Sequence, residues 1–198
     1  MRKFNLFLKR LIDIFASLIG LILISPLLII IAIAIKLTSE GPVFFKQERL
    51  GKDGKIFKII KFRTMVVNAE KIGTGIFVKS DDKRITKVGK FLRSTSLDEL
   101  PQLFNVLFGD MSLVGPRPPV PYHPYKYEDY SEFQKKRFKM KPGMTGLAQV
   151  TVRNSVDWDK RILIDVQYVE KFNILLDIKI LFKTFLKVFK RESIYSQN

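Results

Sequence analysis

An uncharged apolar run from Ile14 to Ile35 limits what this sequence can fold into more than any other feature. About 20 apolar residues are enough to cross the hydrocarbon core of a bilayer, so the run predicts a membrane helix. The run is long and no small-residue cleavage site follows it, which argues against a signal peptide. We therefore expect residues 1–36 to form an N-terminal membrane segment.

Ser25 and Pro26 lie in the middle of this run. Proline removes a backbone donor and collides with the preceding turn, which favours a kink, and the neighbouring serine can satisfy the freed carbonyl. Lys and Arg residues flank the run on both sides, as they do in short cytoplasmic segments. Two interpretations stay open at this point: a kinked transmembrane span, or a helix broken at Ser25-Pro26 that enters and leaves the same leaflet.

The net charge and the composition of the chain limit the kinds of molecule that it can bind. The chain has 198 residues, a formal net charge of +16, no cysteine and one histidine, His123. The charge indicates a polyanionic partner such as nucleic acid, an anionic membrane or a phosphorylated substrate. The basic residues are spread along the chain beside apolar runs, whereas a nucleic-acid binder concentrates them on one recognition element. We therefore predict no nucleic-acid partner, and chemistry that rests on carboxylates, cations and hydroxyls.

The remaining pattern predicts short elements. Two strands flank a turn at 51–54, a short basic helix covers 85–93, and residues 143–150 form a loop that leads into an extended stretch. Two helices end the chain. In the second, from Ile174 on, apolar residues recur at helical spacing with lysines between them. Such a helix suits a membrane interface, although a core-facing helix with a solvated lysine face has the same pattern.

The fold expected from these elements is a compact α+β domain, mostly helical, with a small β element. Residues 37–198 would form this single domain, and amphipathic helices at its end would lie at the interface beside the membrane segment. The adjacent apolar run is what favours the interfacial interpretation of the last helix.

Two adjacent carboxylates, Asp98 and Glu99, lie between Arg93 and Arg117 in the stretch RSTSLDELPQLFNVLFGDMSLVGPRP. In a structural interpretation, Ser96 and Glu99 form a capping box at the start of a helix. In a functional one, a carboxylate beside arginines and a divalent cation stays ionised and attacks phosphorus, while the arginines bind phosphate oxygens. An Asp-Glu pair by itself does not decide between them.

The longer sequence pattern around this pair favours the functional interpretation. KFRTM (61–65), the Arg93–Pro118 stretch, KPGMTGLAQV (141–150) and DVQYVEKFNILLDIKIL (165–181) follow the Ser-Pro segment in this order. The chain thereby closely resembles, from about residue 9 to 189, the bacterial sugar transferase family of small monotopic phosphoglycosyl transferases. The resemblance implies transfer of a sugar 1-phosphate from a UDP-sugar to undecaprenyl phosphate with release of UMP. It also implies Mg²⁺ and a covalent phosphosugar on aspartate.

The resemblance implies a role for particular residues. Asp98 would be the nucleophile, with Glu99 as its partner in metal binding or activation. Asp165 matches a late acidic residue, and Ser25-Pro26 matches the break of a re-entrant helix. The basic positions expected near the nucleotide and phosphates are Lys61, Arg93, Arg117 and Arg153. Arg153 and Asp165 could instead form a structural ion pair.

The same resemblance implies a monotopic protein on the cytoplasmic face of a bacterial inner membrane. Two rivals remain: a membrane-bound glycosyltransferase that moves the bare sugar and releases UDP, and a non-catalytic basic adaptor at the membrane surface. The sequence leaves the sugar and the oligomeric state open.

Overall fold

A computed structural model describes residues 2–72, 75, 82–152 and 156–189. The fold is α+β and mostly helical, as predicted, with two small sheets in the described part of the chain. Both predicted C-terminal helices and the short basic helix are present. The elements in chain order are α1 (Arg2–Thr38), β1 (Phe44–Leu50), β2 (Ile56–Phe62), α2 (Lys87–Ser94), α3 (Gln102–Phe108), β3 (Ser112–Val114), α4 (Glu132–Lys135), β4 (Gly143–Thr145), α5 (Leu147–Thr151), α6 (Trp158–Lys171) and α7 (Ile174–Phe189).

The long first helix, α1, remains helical through Ser25 and Pro26, so the expected break does not divide it into two helices. The reason lies in one hydrogen bond. Pro26 cannot donate to the carbonyl four residues earlier, that of Ile22, and the Ser25 hydroxyl donates to this oxygen at 2.8 Å instead. Both residues are exposed on the outer face of the helix. The re-entrant topology of α1 stays a prediction.

One face of α1 is buried against the rest of the protein in two stretches, one on each side of the Ser25-Pro26 pair. The other face exposes large apolar side chains, and the helix is long and apolar enough to cross a membrane. At 1.5 Å per residue, its 37 residues extend about 55 Å, well beyond a hydrocarbon core of about 30 Å. The buried residues recur at every fourth position in two groups: Lys9, Asp13, Ser17 and Leu21 before the Ser-Pro pair, and Ile31 and Ile35 after it.

The two sheets are small. Strands β1 and β2 form the predicted antiparallel hairpin, from the pair Phe44–Phe62 to the pair Leu50–Ile56. Strands β3 and β4 pair in parallel, so the prediction of a loop followed by an extended stretch over 143–150 is wrong: a strand comes first and helix α5 follows. A Cβ on Gly143 would lie 2.0 Å from the backbone nitrogen of Gly115. This close backbone contact creates β4, and three residues are too few to show a strand periodicity.

Two clusters of buried apolar side chains position the site. Ile35, Phe62 and Leu92 join α1, β2 and α2, and Leu97 packs against them. The second cluster joins β3, α6 and α7, with Tyr168 and Ile180 at its centre. The membrane helix, the strand that carries Lys61 and the segment that carries the carboxylates are therefore parts of one packed unit.

Candidate active site

Asp98 and Glu99 lie in a single 3₁₀ turn, Leu97–Glu99, between α2 and α3. Ser96 precedes the turn in the left-handed conformation, with φ of 58°, and its side chain makes no capping hydrogen bond. The structural alternative, a capping box of Ser96 and Glu99, is therefore not what the structure has. Helix α3 begins later, after Pro101, because the left-handed residue redirects the chain before the helix starts. Leu97 packs into the core and fixes the turn from inside.

Asn105 brings the turn and strand β2 together. This residue is 2% exposed; its Oδ1 accepts from Ile60 N at 2.9 Å, and its Nδ2 donates to Lys58 O at 2.9 Å. Helix α3 is thus attached to the edge of β2 by two hydrogen bonds. As a result Lys61, farther along the same strand, lies opposite Glu99, with its Nζ 2.6 Å from Glu99 Oε1.

The two carboxylates differ in their surroundings. Glu99 is held by Lys61, whereas Asp98 makes no ion pair with any described residue. Burial raises the pKa of Asp98 to about 6, since the nearby charge of Lys61 offsets it only in part and the charge of Glu99 adds to it. Burial also raises the pKa of Glu99, but the charges of Lys61 and Arg117 outweigh it and lower this pKa to about 2. With these pKa values, Glu99 is ionised at neutral pH and Asp98 is mostly ionised.

Arg117 lies in a rigid loop. Its side chain is exposed, but Pro116 and Pro118 on either side are buried, and Arg49 donates from Nη1 to the carbonyl of Pro118 at 3.1 Å. Arg137 donates from Nη2 to the carbonyl of Arg117 itself at 2.8 Å. The loop is therefore held on both sides, which leaves the guanidinium of Arg117 directed to the space beside the carboxylates.

Asp165 forms a buried ion pair with Arg137. Arg137 donates to Asp165 Oδ2 from Nη2 at 2.6 Å and from Nε at 3.2 Å, and the two side chains are 1% and 2% exposed. Asp165 therefore has an ion-pair partner that the sequence analysis did not consider. The alternative pair with Arg153, like the predicted phosphate-binding role of Arg153, lies outside the described residues. Asp165 Oδ1 is buried without a hydrogen-bond partner in the described part of the chain.

A cavity of about 270 Å³ collects these groups. Among its lining residues, five cationic side chains face three carboxylates, so the cavity suits a ligand with several negative charges. Arg93 lines it with a buried Nη1 that has no partner among the described residues, as expected of a donor that awaits an anion. The predicted site residues that line the cavity are Lys61, Arg93, Asp98, Glu99, Arg117 and Asp165.

Three cationic residues of this region escaped the sequence analysis. Arg137 lies in a run of basic residues, a pattern that in the sequence indicates a solvated surface, although its side chain is buried in the structure. Arg161 lines the cavity, with its guanidinium over the ring of Trp158 at 5.3 Å. Lys187 lines it from α7 and is indistinguishable in the sequence from the other lysines of that helix. Their positions depend on tertiary packing, and no local signal would have revealed them.

The carboxylates also determine which metal the site suits. The described residues contain no group of three or more His, Asp or Glu side chains placed to hold a metal ion. Mg²⁺ does not need one, because it commonly binds one or two carboxylates and completes its shell with water and substrate phosphates. Asp98 and the Glu99 oxygen that Lys61 does not engage fit that pattern.

The chain is similar in sequence to several known proteins. The chain is 51% identical to the UDP-glucose:undecaprenyl-phosphate glucose-1-phosphate transferase of Klebsiella pneumoniae, over 96% of this chain and 42% of that protein. It is 44% identical to the undecaprenyl-phosphate galactose phosphotransferase of Salmonella typhimurium, over 98% of this chain and 43% of that protein. The uncharacterized sugar transferase EpsL of Bacillus subtilis is 43% identical, over 96% of this chain and 92% of that protein.

The chain spans less than half the length of the first two of these relatives. The family model for bacterial sugar transferases matches residues 4–191, which is nearly the whole chain. This protein therefore belongs to the bacterial sugar transferase family.

Proposed function

We propose that this protein transfers a sugar 1-phosphate from a UDP-sugar to undecaprenyl phosphate and releases UMP. The relatives from Klebsiella pneumoniae and Salmonella typhimurium are named for sugar-phosphate transfer with undecaprenyl phosphate. The cavity offers the charge that a diphosphate and a lipid phosphate require. The reaction would be the first membrane step in building a glycoconjugate.

The observation that carries the proposal is the asymmetry of the two carboxylates. Glu99 is engaged by Lys61 at 2.6 Å, whereas Asp98 is ionised and makes no ion pair with a described residue. Neither oxygen of Asp98 is held by a cation of the described residues, whereas Lys61 holds one oxygen of Glu99. Asp98 is therefore the attacking group, and Glu99 keeps Lys61 in place beside it. A non-catalytic adaptor has no use for an ionised, partly buried carboxylate of this kind.

The chemistry then takes two steps. A carboxylate oxygen of Asp98 attacks the phosphorus that carries the sugar, the bond from that phosphorus to the bridging oxygen breaks, and UMP leaves with that oxygen. An oxygen of undecaprenyl phosphate next attacks the same phosphorus and breaks its bond to Asp98, which regenerates the carboxylate. Arg93 and Arg117 bind the phosphate oxygens throughout, as guanidinium groups do bidentately.

Mg²⁺ held by Asp98 and Glu99 would neutralise part of the diphosphate charge. Lys61 supplies a fixed positive charge on the same side. Because Lys61 also occupies one oxygen of Glu99, it restricts which carboxylate oxygens remain for a metal.

We further propose that the protein is monotopic on the cytoplasmic face of the inner membrane, with residues 1–36 as a re-entrant segment and 37–198 as the catalytic domain. Lys9 and Asp13 near the start of α1, and Ile31 and Ile35 near its end, all pack on this domain. Both ends of the membrane helix thus contact the same domain, which favours entry and exit on one side of the bilayer.

The test identifies the released nucleotide. Purified protein in lipid nanodiscs is given Mg²⁺, undecaprenyl phosphate and a panel of UDP-sugars, and UMP and UDP are separated by chromatography. We expect UMP from one or a few sugars, and its loss in Asp98→Asn. Asp53→Asn is the matched control, since Asp53 is an exposed loop residue in a conformation that asparagine also adopts. Release of UDP would mean transfer of the bare sugar and would refute the proposal.

The covalent step has its own test. Without undecaprenyl phosphate, a two-step mechanism releases UMP in a burst of at most one equivalent per protein and leaves a protein heavier by one phosphosugar. A direct transfer between donor and acceptor releases no UMP under these conditions, and that result would remove the nucleophile role from Asp98 while leaving the overall reaction intact.

A further inference from the structure

Helix α7 has one face turned to the protein and another turned outward. On the inward face, Asp177 is 6% exposed and Ile180 is 1% exposed, and Thr184 and Lys187 continue this face toward the end of the helix. The spacing of three and four residues places all four on one side. The inward face therefore ends at the cavity, which Thr184 and Lys187 both line.

Buried contacts hold α7 in this orientation. Asp177 forms an ion pair with Lys9 of α1 and accepts a hydrogen bond from the Tyr168 hydroxyl at 2.7 Å. At the wall of the cavity, the hydroxyls of Thr184 and Thr145 lie 2.7 Å apart. Rotation of the helix would break these contacts, so the position of Lys187 at the cavity is fixed by the fold.

The outward face of α7 is apolar and exposed. Leu175, Phe182 and Phe185 expose 70%, 63% and 64% of their surface, and Val188 exposes 46%. Val188 also lines the cavity, so the apolar surface reaches the site at this residue. Helix α1 exposes an apolar surface as well, but none of its residues lines the cavity. Helix α7 thus joins an apolar outer surface to the cavity that holds Asp98.

We propose that the lipid acceptor reaches Asp98 past the C-terminal end of α7, with Lys187 as the cation that binds its phosphate and Val188 beside its first isoprene units. This inference rests on the proposed function and adds the acceptor subsite to it. A lipid phosphate moves only within the plane of the leaflet, so the first cation it meets belongs to an interfacial helix. The soluble UDP-sugar instead meets Lys61 on β2 and Arg117 in the loop after β3.

A lysine in the last turn of a helix also interacts favourably with the helix dipole. That effect accounts for a basic residue at position 187, but it does not require the residue to line the cavity. Lys183, one turn earlier on the same helix, is exposed and does not line it. Substituting each lysine in turn therefore distinguishes general attraction to the membrane, which both would provide, from binding of the acceptor phosphate, which only Lys187 would provide.

The experiment measures KM for undecaprenyl phosphate and for the UDP-sugar separately, in nanodiscs of fixed lipid composition, for Lys187→Met and Lys183→Met. A charge-assisted hydrogen bond to phosphate contributes enough that its loss weakens binding roughly tenfold or more. We expect Lys187→Met to raise KM for undecaprenyl phosphate by roughly tenfold or more, with KM for the UDP-sugar unchanged. Lys183→Met should leave both values near those of the parent protein, and Lys187→Arg should restore most of the acceptor affinity.

Two results would overturn the inference. Equal effects of Lys187→Met and Lys183→Met would reduce Lys187 to general membrane attraction, and a rise in KM for the UDP-sugar alone would assign Lys187 to the donor. In both cases UMP would still be released, so the proposed function would stand. Release of UDP by the parent protein would instead refute the proposed function itself.

Discussion

Replacing Arg137 by methionine tests how the buried ion pair supports the site. Arg137 and Asp165 are 1% and 2% exposed, so Arg137→Met leaves the charge of Asp165 in the interior without its partner. Removing one member of a buried pair lowers the free energy of unfolding by about 3–5 kcal/mol. For a protein of this size each kcal/mol corresponds to about 2–4 °C, so we expect the melting temperature to fall by roughly 6–20 °C.

A double variant separates the charge from the packing. In Arg137→Met with Asp165→Leu, both charges are replaced by apolar groups of similar size, an exchange that is often neutral or stabilising. We expect most of the lost melting temperature to return. UMP release at 25 °C should stay low, because the hydrogen bond of 2.8 Å from Arg137 to the carbonyl of Arg117 is absent in both variants.

Thermal unfolding followed by intrinsic fluorescence in nanodiscs, beside the UMP assay, checks both expectations. Lys136→Met is the matched control, since Lys136 is the preceding residue and its pair with Glu170 is about half exposed on both sides. Exposed pairs contribute about 0–1 kcal/mol. The reasoning fails if Arg137→Met costs no more than Lys136→Met, or if the double variant is no more stable than the single one.

Two other substitutions test the packing and the dyad. A Cβ on Gly89 would lie 2.0 Å from a backbone carbonyl oxygen, so Gly89→Ala should cost about 1–3 kcal/mol in chemical denaturation, whereas Gly20→Ala, with 3.5 Å to a side chain, should be neutral or stabilising. Lys61→Met leaves Glu99 unpaired and should lower kcat for UMP release by roughly 10²–10³-fold. Lys58 is exposed on the same strand, so Lys58→Met should leave kcat for UMP release unchanged. An equal loss of kcat in both variants would mean that the substitutions disturb folding and not the dyad.

Much of the architecture was predictable because it depends on local patterns. The hairpin of β1 and β2 follows from strand-forming residues around a glycine turn, and α7 follows from apolar residues at helical spacing. The errors have local causes too. Strand β4 was missed because its pairing with β3 depends on close contact at Gly115 and Gly143. The capping-box alternative at Ser96 does not hold because that residue adopts a left-handed conformation.

The sequence by itself determined which chemistry is available. The apolar run and its basic flanks indicate attachment to a membrane, and the absence of cysteine excludes disulfides and thiolate chemistry. The ordered motifs indicate the family, because a catalytic constellation must keep its residue types in fixed places along the chain. All this information is carried by residue identity, which the sequence states directly.

Only the tertiary structure decided which of two adjacent carboxylates is unengaged. Glu99 and Lys61 are far apart in the chain and meet because Asn105 attaches α3 to β2. It also decided that Arg137 is buried and that Lys187 faces the cavity. The sequence does not distinguish a charged side chain that is solvated from one that forms an ion pair or binds a ligand. The difference is set by the groups that packing brings within a few ångströms, where water is excluded and electrostatic interactions become strong.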